Sequence, residues 1–257
     1  MLDHAGDKEM AEAKKAKKTE SKKDKVQKFG HGKKYNELVQ KVDKEKLYDL
    51  SEALDLVKET SPTKFDATVE LHMQMGLDPK TPEQNIRGTV TLPAGSGKVP
   101  KILVLAEEAD AEKAKKAGAD FAGLDDMIEK IGTGWLDFDL VIATPAAMPK
   151  VGKMGQTLGT KGLMPNPKSG TVSADPAKAV EEFKKGKVEY RLDKDAIVHM
   201  GIGKVSFSAD DLKKNFMAVF AAIRSAKPSS AKGTYMKRLS LSSSMGPGIK
   251  VDINTVV

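Results

Sequence analysis

Segment 151–170 is the part of this 257-residue sequence whose residue types best suit a contact with phosphate. It contains five glycines and three lysines, which are Lys153, Lys161 and Lys168. Glycine lets backbone N–H groups approach a phosphate closely, and lysine supplies positive charge without distinguishing one base from another. This pattern indicates a contact with a nucleic-acid backbone. The alternative is a structural Ω-loop whose lysines are simply hydrated.

Two further segments carry side chains that suit RNA. Residues 242–248 (SSSMGPG) combine three hydroxyls with a methionine and two glycines, and hydroxyls can bond the 2′-OH groups and phosphates of RNA. Lys64 and Phe65 could place a charge on a phosphate and a ring on a ribose or base, while Glu70 could accept from a base amine. Each segment also has a structural interpretation: 242–248 as a strand end with a Gly-Pro turn, and Phe65 as a core residue.

The motifs of nucleotide-dependent enzymes are incomplete in this sequence. Gly95-Ser-Gly-Lys98 is similar to part of a phosphate-binding loop, but the full motif needs glycine at position 92 and a hydroxyl at 99. Those positions hold Leu92 and Val99, so we expect a simple turn there. No G-x-G-x-x-G follows the first strand of the predicted α/β segment, as a dinucleotide fold would require.

Metal and thiol chemistry are also disfavoured. The chain has no cysteine, which excludes disulfides, thiolate catalysis and Cys-type zinc sites. Its four histidines are scattered, with no pair at a ligand spacing along the chain. We therefore expect no metal, no cofactor and no catalytic residues, and an enzyme that uses a nucleotide remains only as a rival hypothesis.

The positive charge is concentrated at the N-terminus. Residues 1–35 hold 11 Lys and 6 Asp or Glu and so carry +5 of the net +7, which leaves +2 for the remaining sequence. A nearly neutral body must bind a polyanion through a local patch rather than through its overall field. The Lys-rich extension at 1–30 has few apolar residues and is predicted to be disordered, either as a hydrated tail or as a basic arm on RNA phosphates.

Two kinds of strand pattern divide the rest of the chain. Before residue 95 and after 188 the strands alternate apolar and polar residues, which is typical of half-buried antiparallel strands. Val69, Leu71, Met73 and Met75 lie on one face of the first, with Thr68, Glu70, His72 and Gln74 on the other. Between 96 and 187, short apolar strands alternate with helices, which favours a buried parallel sheet.

The predicted elements follow from these patterns. The expected strands are 67–75, 85–92, 102–106, 120–122, 138–143, 188–192, 197–203, 204–208 and 235–243. The pattern is helical over 35–59, where a capped helix begins at an N-cap on Ser51, and further helices are expected at 110–117, 124–130, 177–185 and 209–226. The fold class is therefore a discontinuous α+β domain, over 31–95 and 188–257, with an inserted α/β domain that is Rossmann-like with a parallel sheet, over 96–187. Two adjacent chain crossings, near residues 95 and 187, would act as a hinge.

Three longer motifs connect the chain with a known family. They are KFDATVELHMQMGLDPKTPEQNIRGTVTLP (64–93), GLMPNPKSGTV (162–172) and LSSSMGPGIKVD (241–252). On these motifs the sequence resembles the universal L-one family of ribosomal proteins, in its bacterial form, from about Lys33 to the C-terminus. The extension at 1–30 lies outside the resemblance.

The resemblance implies a structural protein of the large ribosomal subunit that is not an enzyme. It implies binding to 23S rRNA at the mobile stalk, contact with exit-site tRNA and release of deacylated tRNA, and repression of the protein's own operon mRNA. It further implies a cytoplasmic protein on the ribosome, monomeric when free, with no membrane association. A regulator of mRNA without ribosomal residence is the second rival hypothesis.

The main RNA surface that the resemblance implies lies on the discontinuous domain. Matching the motifs residue by residue assigns this surface to two segments: Lys64, Phe65, Thr68 and Glu70, and Ser244, Met245 and Gly246. Secondary RNA contacts are expected at Arg238, Lys153, Lys161 and Lys168.

The chain departs from the family pattern at four of the matched positions. Ser244 stands where the family usually has Thr, and Arg238 where it often has Ser. Within 151–170, Gln156 and Thr160 replace a usual Arg and Pro, which reduces the positive charge of that segment.

Overall fold

The computed structural model of the chain describes residues 32–256. The predicted disordered extension at 1–30 lies outside the described residues. None of the helices in 32–256 is long and apolar enough to span a bilayer.

Residues 32–256 form eight α-helices and nine strands. The α-helices are Lys33–Gln40 (α1), Leu50–Glu59 (α2), Glu108–Lys116 (α3), Asp125–Gly132 (α4), Met148–Gly152 (α5), Gly155–Thr160 (α6), Pro176–Lys184 (α7) and Ala209–Ser225 (α8). The strands are Thr68–Met75 (β1), Arg87–Thr91 (β2), Ile102–Leu105 (β3), Phe121–Gly123 (β4), Leu140–Ala143 (β5), Lys187–Arg191 (β6), Ile197–Lys204 (β7), Met236–Ser243 (β8) and Ile249–Val251 (β9). Two 3-10 turns, Pro82–Gln84 and Pro167–Ser169, complete the set.

A four-stranded antiparallel sheet has the order β7-β1-β8-β9. Along β1 every second residue is buried, as the predicted alternation requires. The buried side chains pack against α2 and α8, whose apolar residues recur at helical spacing. Helices therefore cover one face of this sheet and leave the polar face open.

Two local predictions around this sheet are wrong, and one strand was missed. Helix α2 begins two residues earlier than expected, because Asp49, rather than Ser51, is the N-cap and its side chain accepts the Ser51 backbone N–H. Segment 204–208 is not a separate strand, because β7 ends at Lys204 and the next residues turn into the Ser208 N-cap of α8. Strand β9 was not predicted, since an alternation of only three residues after a Gly-Pro-Gly sequence is too short to indicate a strand.

A second sheet is parallel, with the order β4-β3-β5. Val172 extends it through a parallel bridge to Ala143. All four residues of β3 are buried, because helices pack on both faces of the sheet. The predicted mixture of antiparallel and parallel sheets is thus confirmed, and the chain is a mixed α/β protein.

The hydrophobic cores draw on different parts of the chain. The core under the antiparallel sheet uses residues 42–92 and 190–256, whereas the two cores flanking the parallel sheet use residues between 102 and 183. Strands β2 and β6 form a two-stranded antiparallel ribbon. This ribbon lies where the chain passes from the residues of the first core to those of the other two cores and back.

Candidate nucleic-acid interface

The open face of the antiparallel sheet brings together most of the residues that the sequence singled out. Because directly paired residues of antiparallel strands point to the same side, the register places Ser244, Ser242, Ser240 and Arg238 beside the polar residues of β1. His199 and Lys204 of β7 and Lys250 of β9 lie on the same side. We call this set the polar sheet face; its members are Thr68, Glu70, His72, Gln74, His199, Lys204, Arg238, Ser240, Ser242, Ser244 and Lys250.

Thr68 and Ser244 are joined at one end of this face. The Ser244 hydroxyl lies 3.2 Å from the backbone nitrogen of Thr68 and accepts its N–H, and the Ser244 N–H donates to the Thr68 carbonyl over 3.0 Å. The Lys204 ammonium donates to the Thr68 hydroxyl at 2.9 Å. Two segments that are 176 residues apart in sequence therefore form one fixed cluster of hydroxyls beside a cation.

The turn that follows Ser244 presents Met245 to solvent. Met245 has φ 63°, a left-handed conformation that side chains other than glycine adopt infrequently, and its residue is 78% exposed. The Gly246 N–H closes the turn by donating to the Ser243 carbonyl at 2.8 Å. An exposed methionine held in strained backbone is an adaptable apolar contact next to the hydroxyl cluster.

Phe65 is the second exposed apolar side chain near this end. It is 63% exposed, so the alternative that it belongs to the core is wrong. Its loop is held by Asp66, whose carboxylate accepts from the backbone N–H and the hydroxyl of Ser206. Lys64 beside it is exposed as well. The loop offers a ring and a cation that the protein's own core does not use.

Glu70 and Arg238 lie further along the polar sheet face. Glu70 pairs with Ser242 and Arg238 with Gln74 in the register of β1 and β8, and Arg238 is exposed. Whether Arg238 or any other of the assigned residues binds RNA stays a prediction. What the structure shows is that one surface carries both assigned segments.

Sequence reasoning missed a pair of histidines on this face. His72 and His199 are direct partners in the register of β1 and β7, and their Nδ1 atoms are 2.7 Å apart. Burial lowers the pKa of His72, His199 lowers it further, and Glu70 opposes the shift. Only the strand pairing brings these histidines together, because they are 127 residues apart in the chain.

The glycine- and lysine-rich segment at 151–170 is not an irregular Ω-loop. It contains the end of α5, helix α6 and the 3-10 turn, and it is fixed by Val151 and Leu158 in a core of the parallel sheet. Lys153, Lys161 and Lys168 are exposed. The segment therefore belongs to a different core from the polar sheet face, and the structure does not bring its lysines to that face.

The remaining candidates have structural roles. Lys98 of the Gly95-Ser-Gly-Lys98 turn donates to Asp139 Oδ1 over 2.8 Å, and this hydrogen bond lowers the pKa of Asp139. Within residues 32–256, no group of three or more His, Asp or Glu side chains is arranged to hold a metal ion.

Comparison with known proteins adds an independent finding. A model of the Ribosomal protein L1p/L10e family matches residues 57–247, which include every strand from β1 to β8 and the Met245 turn. The chain belongs to this family. The ribosomal L1p/L10e match thus spans the parallel sheet and every member of the polar sheet face except Lys250.

Relatives within the L1p/L10e family are close in sequence. The large ribosomal subunit protein uL1 of Lactobacillus acidophilus is 54% identical over 222 residues, which are 86% of this chain and 96% of the relative. The large ribosomal subunit protein uL1 of Lactobacillus delbrueckii subsp. bulgaricus is 55% identical with the same coverage. Membership in a family of ribosomal proteins, rather than a missing motif, supports the expectation that the chain is not an enzyme.

Proposed function

We propose that this protein is a structural component of the large ribosomal subunit and binds 23S rRNA through the polar sheet face and the adjoining Phe65 loop and Met245 turn. The observation that carries this proposal is the convergence of two distant segments, 64–70 and 244–246, into one rigid exposed surface. The names of the relatives support the assignment to the large subunit, where the protein would reside in the cytoplasm.

The proposed recognition depends on shape and hydrogen bonding more than on charge. The surface combines hydroxyls of Thr68, Ser242 and Ser244 with two exposed apolar side chains, Phe65 and Met245. Hydroxyls suit the 2′-OH groups and phosphates of folded RNA, and exposed apolar side chains suit unstacked bases. Since the sheet holds these groups in place before RNA arrives, little ordering entropy is lost on binding.

We further propose that the chain forms two domains, one inserted into the other. Residues 31–95 and 188–257 would form the discontinuous RNA-binding domain and 96–187 the inserted one, which agrees with the division of the hydrophobic cores. The two connections between them lie side by side, and neighbouring connections allow a hinge motion. The inserted domain, with its exposed Lys153, Lys161 and Lys168, would then be free to approach exit-site tRNA and aid the release of deacylated tRNA.

Repression of the protein's own operon mRNA would use the same polar sheet face as rRNA. One surface cannot hold two RNAs, so protein that is bound to rRNA cannot bind the mRNA. Only free protein, which we propose is monomeric and remains once the rRNA sites are filled, would bind the mRNA. An rRNA fragment should therefore displace the mRNA leader competitively, and co-sedimentation with large subunits in high salt would test residence on the ribosome.

The decisive test changes the Met245 turn and measures rRNA binding. The double variant Ser244→Ala, Met245→Asp should weaken binding of an rRNA fragment by about 2 kcal/mol or more, roughly 30-fold in Kd, because a buried interface would lose a hydroxyl contact and gain a carboxylate. The affinity would be measured by filter binding or calorimetry at fixed salt.

Met217→Asp is a matched control for this experiment. Met217 is also an exposed methionine, at 42%, but it lies on α8, the helix that covers the opposite face of the sheet. Its substitution should leave the Kd for rRNA unchanged. Equal affinities for the wild type and the double variant would show that the RNA surface lies elsewhere.

A further inference from the structure

His72 and His199 form a hydrogen-bonded chain across the middle of the polar sheet face. His72 Nε2 lies 3.0 Å from the Ser242 hydroxyl, and the two Nδ1 atoms are 2.7 Å apart. At the far side, His199 Nε2 lies 3.3 Å from Asp193 Oδ2. Every ring nitrogen of the pair thus has a partner inside the protein.

The short contact between the Nδ1 atoms fixes how many protons the pair can hold. A hydrogen bond between two ring nitrogens needs one N–H donor and one bare acceptor, so only one proton lies between them. If His199 donates through Nε2 to Asp193, its Nδ1 accepts from His72 and the Ser242 hydroxyl donates to His72 Nε2. One further proton fits on His72 Nε2 when Ser242 rotates to accept, whereas a second would set two N–H groups against each other.

We propose that His72 and His199 are a second RNA-contact point of the polar sheet face, which binds a backbone phosphate when the pair has taken up that one further proton. The inference rests on the proposed function, since it supposes that RNA covers this face. It adds to that function a contact that no motif assigned and a dependence of RNA affinity on pH.

Exposure supports a phosphate contact at this point. The side chain of His199 is 51% exposed and that of His72 is 26% exposed, so an RNA phosphate can reach the pair from solvent. The pair is flanked by hydroxyls of Ser240 and Ser242, which can donate to the same phosphate. It lies between the cations at the two ends of the face, Lys204 and Arg238. A protonated pair would join these cations into one track across the sheet.

The charged groups around the pair set the sign of the pH dependence. Glu70 of β1 lies 4.0 Å from His72 Nε2, and Asp193 contacts His199. Strand β8 places the hydroxyls of Ser240 and Ser242 beside the pair, and the cations Arg238 of β8 and Lys250 of β9 lie on the same face next to Ser240. In the free protein, burial and then the neighbouring His199 lower the pKa of His72 from its ordinary value, which opposes a positive charge on that ring. A bound phosphate favours the protonated form and raises that pKa. RNA affinity therefore increases as the pH falls through the pKa of the complex.

The test is a pH series of rRNA affinity for two proteins. The Kd of the rRNA fragment would be measured from pH 8.0 to 5.5 at constant ionic strength, for the wild type and for His72→Gln, His199→Gln. A pKa raised by about one unit on binding corresponds to an affinity about tenfold higher at the low-pH end. We expect that gain for the wild type and a smaller or absent gain for the variant.

Two further measurements keep the result interpretable. The single variant His199→Gln leaves one ring on the face, and thermal melting of each variant checks that the sheet is intact. His4 and His31 are present in all these proteins, so a pH effect that they cause is common to every curve and cancels in the comparison.

Each outcome separates the inference from the proposed function. A pH dependence present in the wild type and lost from the folded double variant supports the phosphate contact. Identical pH dependence in both proteins, with rRNA bound by each, overturns the contact and leaves the rRNA function intact. Failure of the wild type to bind the rRNA fragment at any pH overturns both.

Discussion

At the scale of single residues, the close packing of the Met245 turn depends on the buried side chain of Ser243 beneath it. Ser243 is buried, and its hydroxyl has no hydrogen-bond partner among the described residues. A Cβ added at Gly246 would overlap this hydroxyl. Gly246 is therefore required by the close approach of Ser243, and not by its own backbone angles, and the unpaired hydroxyl is a local cost that the turn tolerates.

Gly246→Ala should lower the free energy of unfolding by about 1–3 kcal/mol, because a methyl group is forced against the buried Ser243 side chain. Ser243→Ala should be neutral or stabilising by up to about 1 kcal/mol, since it removes an unpaired buried hydroxyl. The double variant should recover most of the loss, which urea denaturation in a double-mutant cycle would measure. If the change in the free energy of unfolding of the double variant equals the sum of the two single changes, residues 243 and 246 do not contact each other.

At the scale of elements, Asn215 connects helix α8 to the sheet and to the chain leaving it. Asn215 is fully buried. Its side-chain oxygen accepts the Ala94 N–H at 2.9 Å, and its amide donates to the carbonyls of Gly95 and Ile202 at 2.9 and 2.7 Å. One amide thus satisfies three backbone groups from two segments, which explains a polar residue on the apolar face of an amphipathic helix.

Asn215→Leu should lower the free energy of unfolding by roughly 3 kcal/mol or more, because three backbone groups lose the partner that the fully buried Asn215 side chain supplies. Asn215→Asp is a useful comparison, since it keeps the acceptor for Ala94 and loses both donors. Chemical denaturation of the two variants gives the values. A change below about 1 kcal/mol for the leucine variant would mean that water or other groups replace the amide.

At the scale of the whole molecule, the two connections between the cores touch each other. The Leu92 N–H donates to the Gly186 carbonyl at 3.0 Å, and a Cβ on Gly186 would lie 2.8 Å from the Cα of Gly95. Gly186 also has φ 102°. The atoms that a Gly186 Cβ would meet belong to the backbone, so no flexible side chain could move aside to make room. The close contact between the two connections of the proposed hinge therefore depends on glycine at position 186.

Gly186→Ala should destabilise the protein more than Gly134→Ala does. Gly134 has nearly the same backbone angle, φ 98°, but an added Cβ there would meet nothing within 4 Å. Both variants incur the strain of about 1–2 kcal/mol for a left-handed alanine, and only Gly186→Ala adds the clash. Melting temperatures compare them directly, and equal shifts would show that the connections separate easily.

Much of the architecture could be predicted from local pattern. Alternation over 67–75 and helical spacing over 209–226 predicted β1 and α8 to within one residue at either end. This is possible because a strand or helix with one buried face has its apolar residues at a regular spacing along the chain. Helices α5 and α6 could not be predicted, since Gly152, Gly155, Gly159 and Pro149 weaken helix propensity. Packing of Val151 and Leu158 in the core outweighs that propensity.

The residue types available for RNA follow from the amino-acid sequence alone: the hydroxyls, glycines and methionine at 242–248, and the lysine and phenylalanine at 64–65. The sequence also shows that net charge is a weak guide, because the N-terminal extension holds most of it. The contact of Ser244 with Thr68, the exposure of Phe65 and the pairing of His72 with His199 depend instead on how the strands pair. The physical reason is that strand register depends on non-local pairing, and shifting it by one residue would turn every side chain to the opposite face.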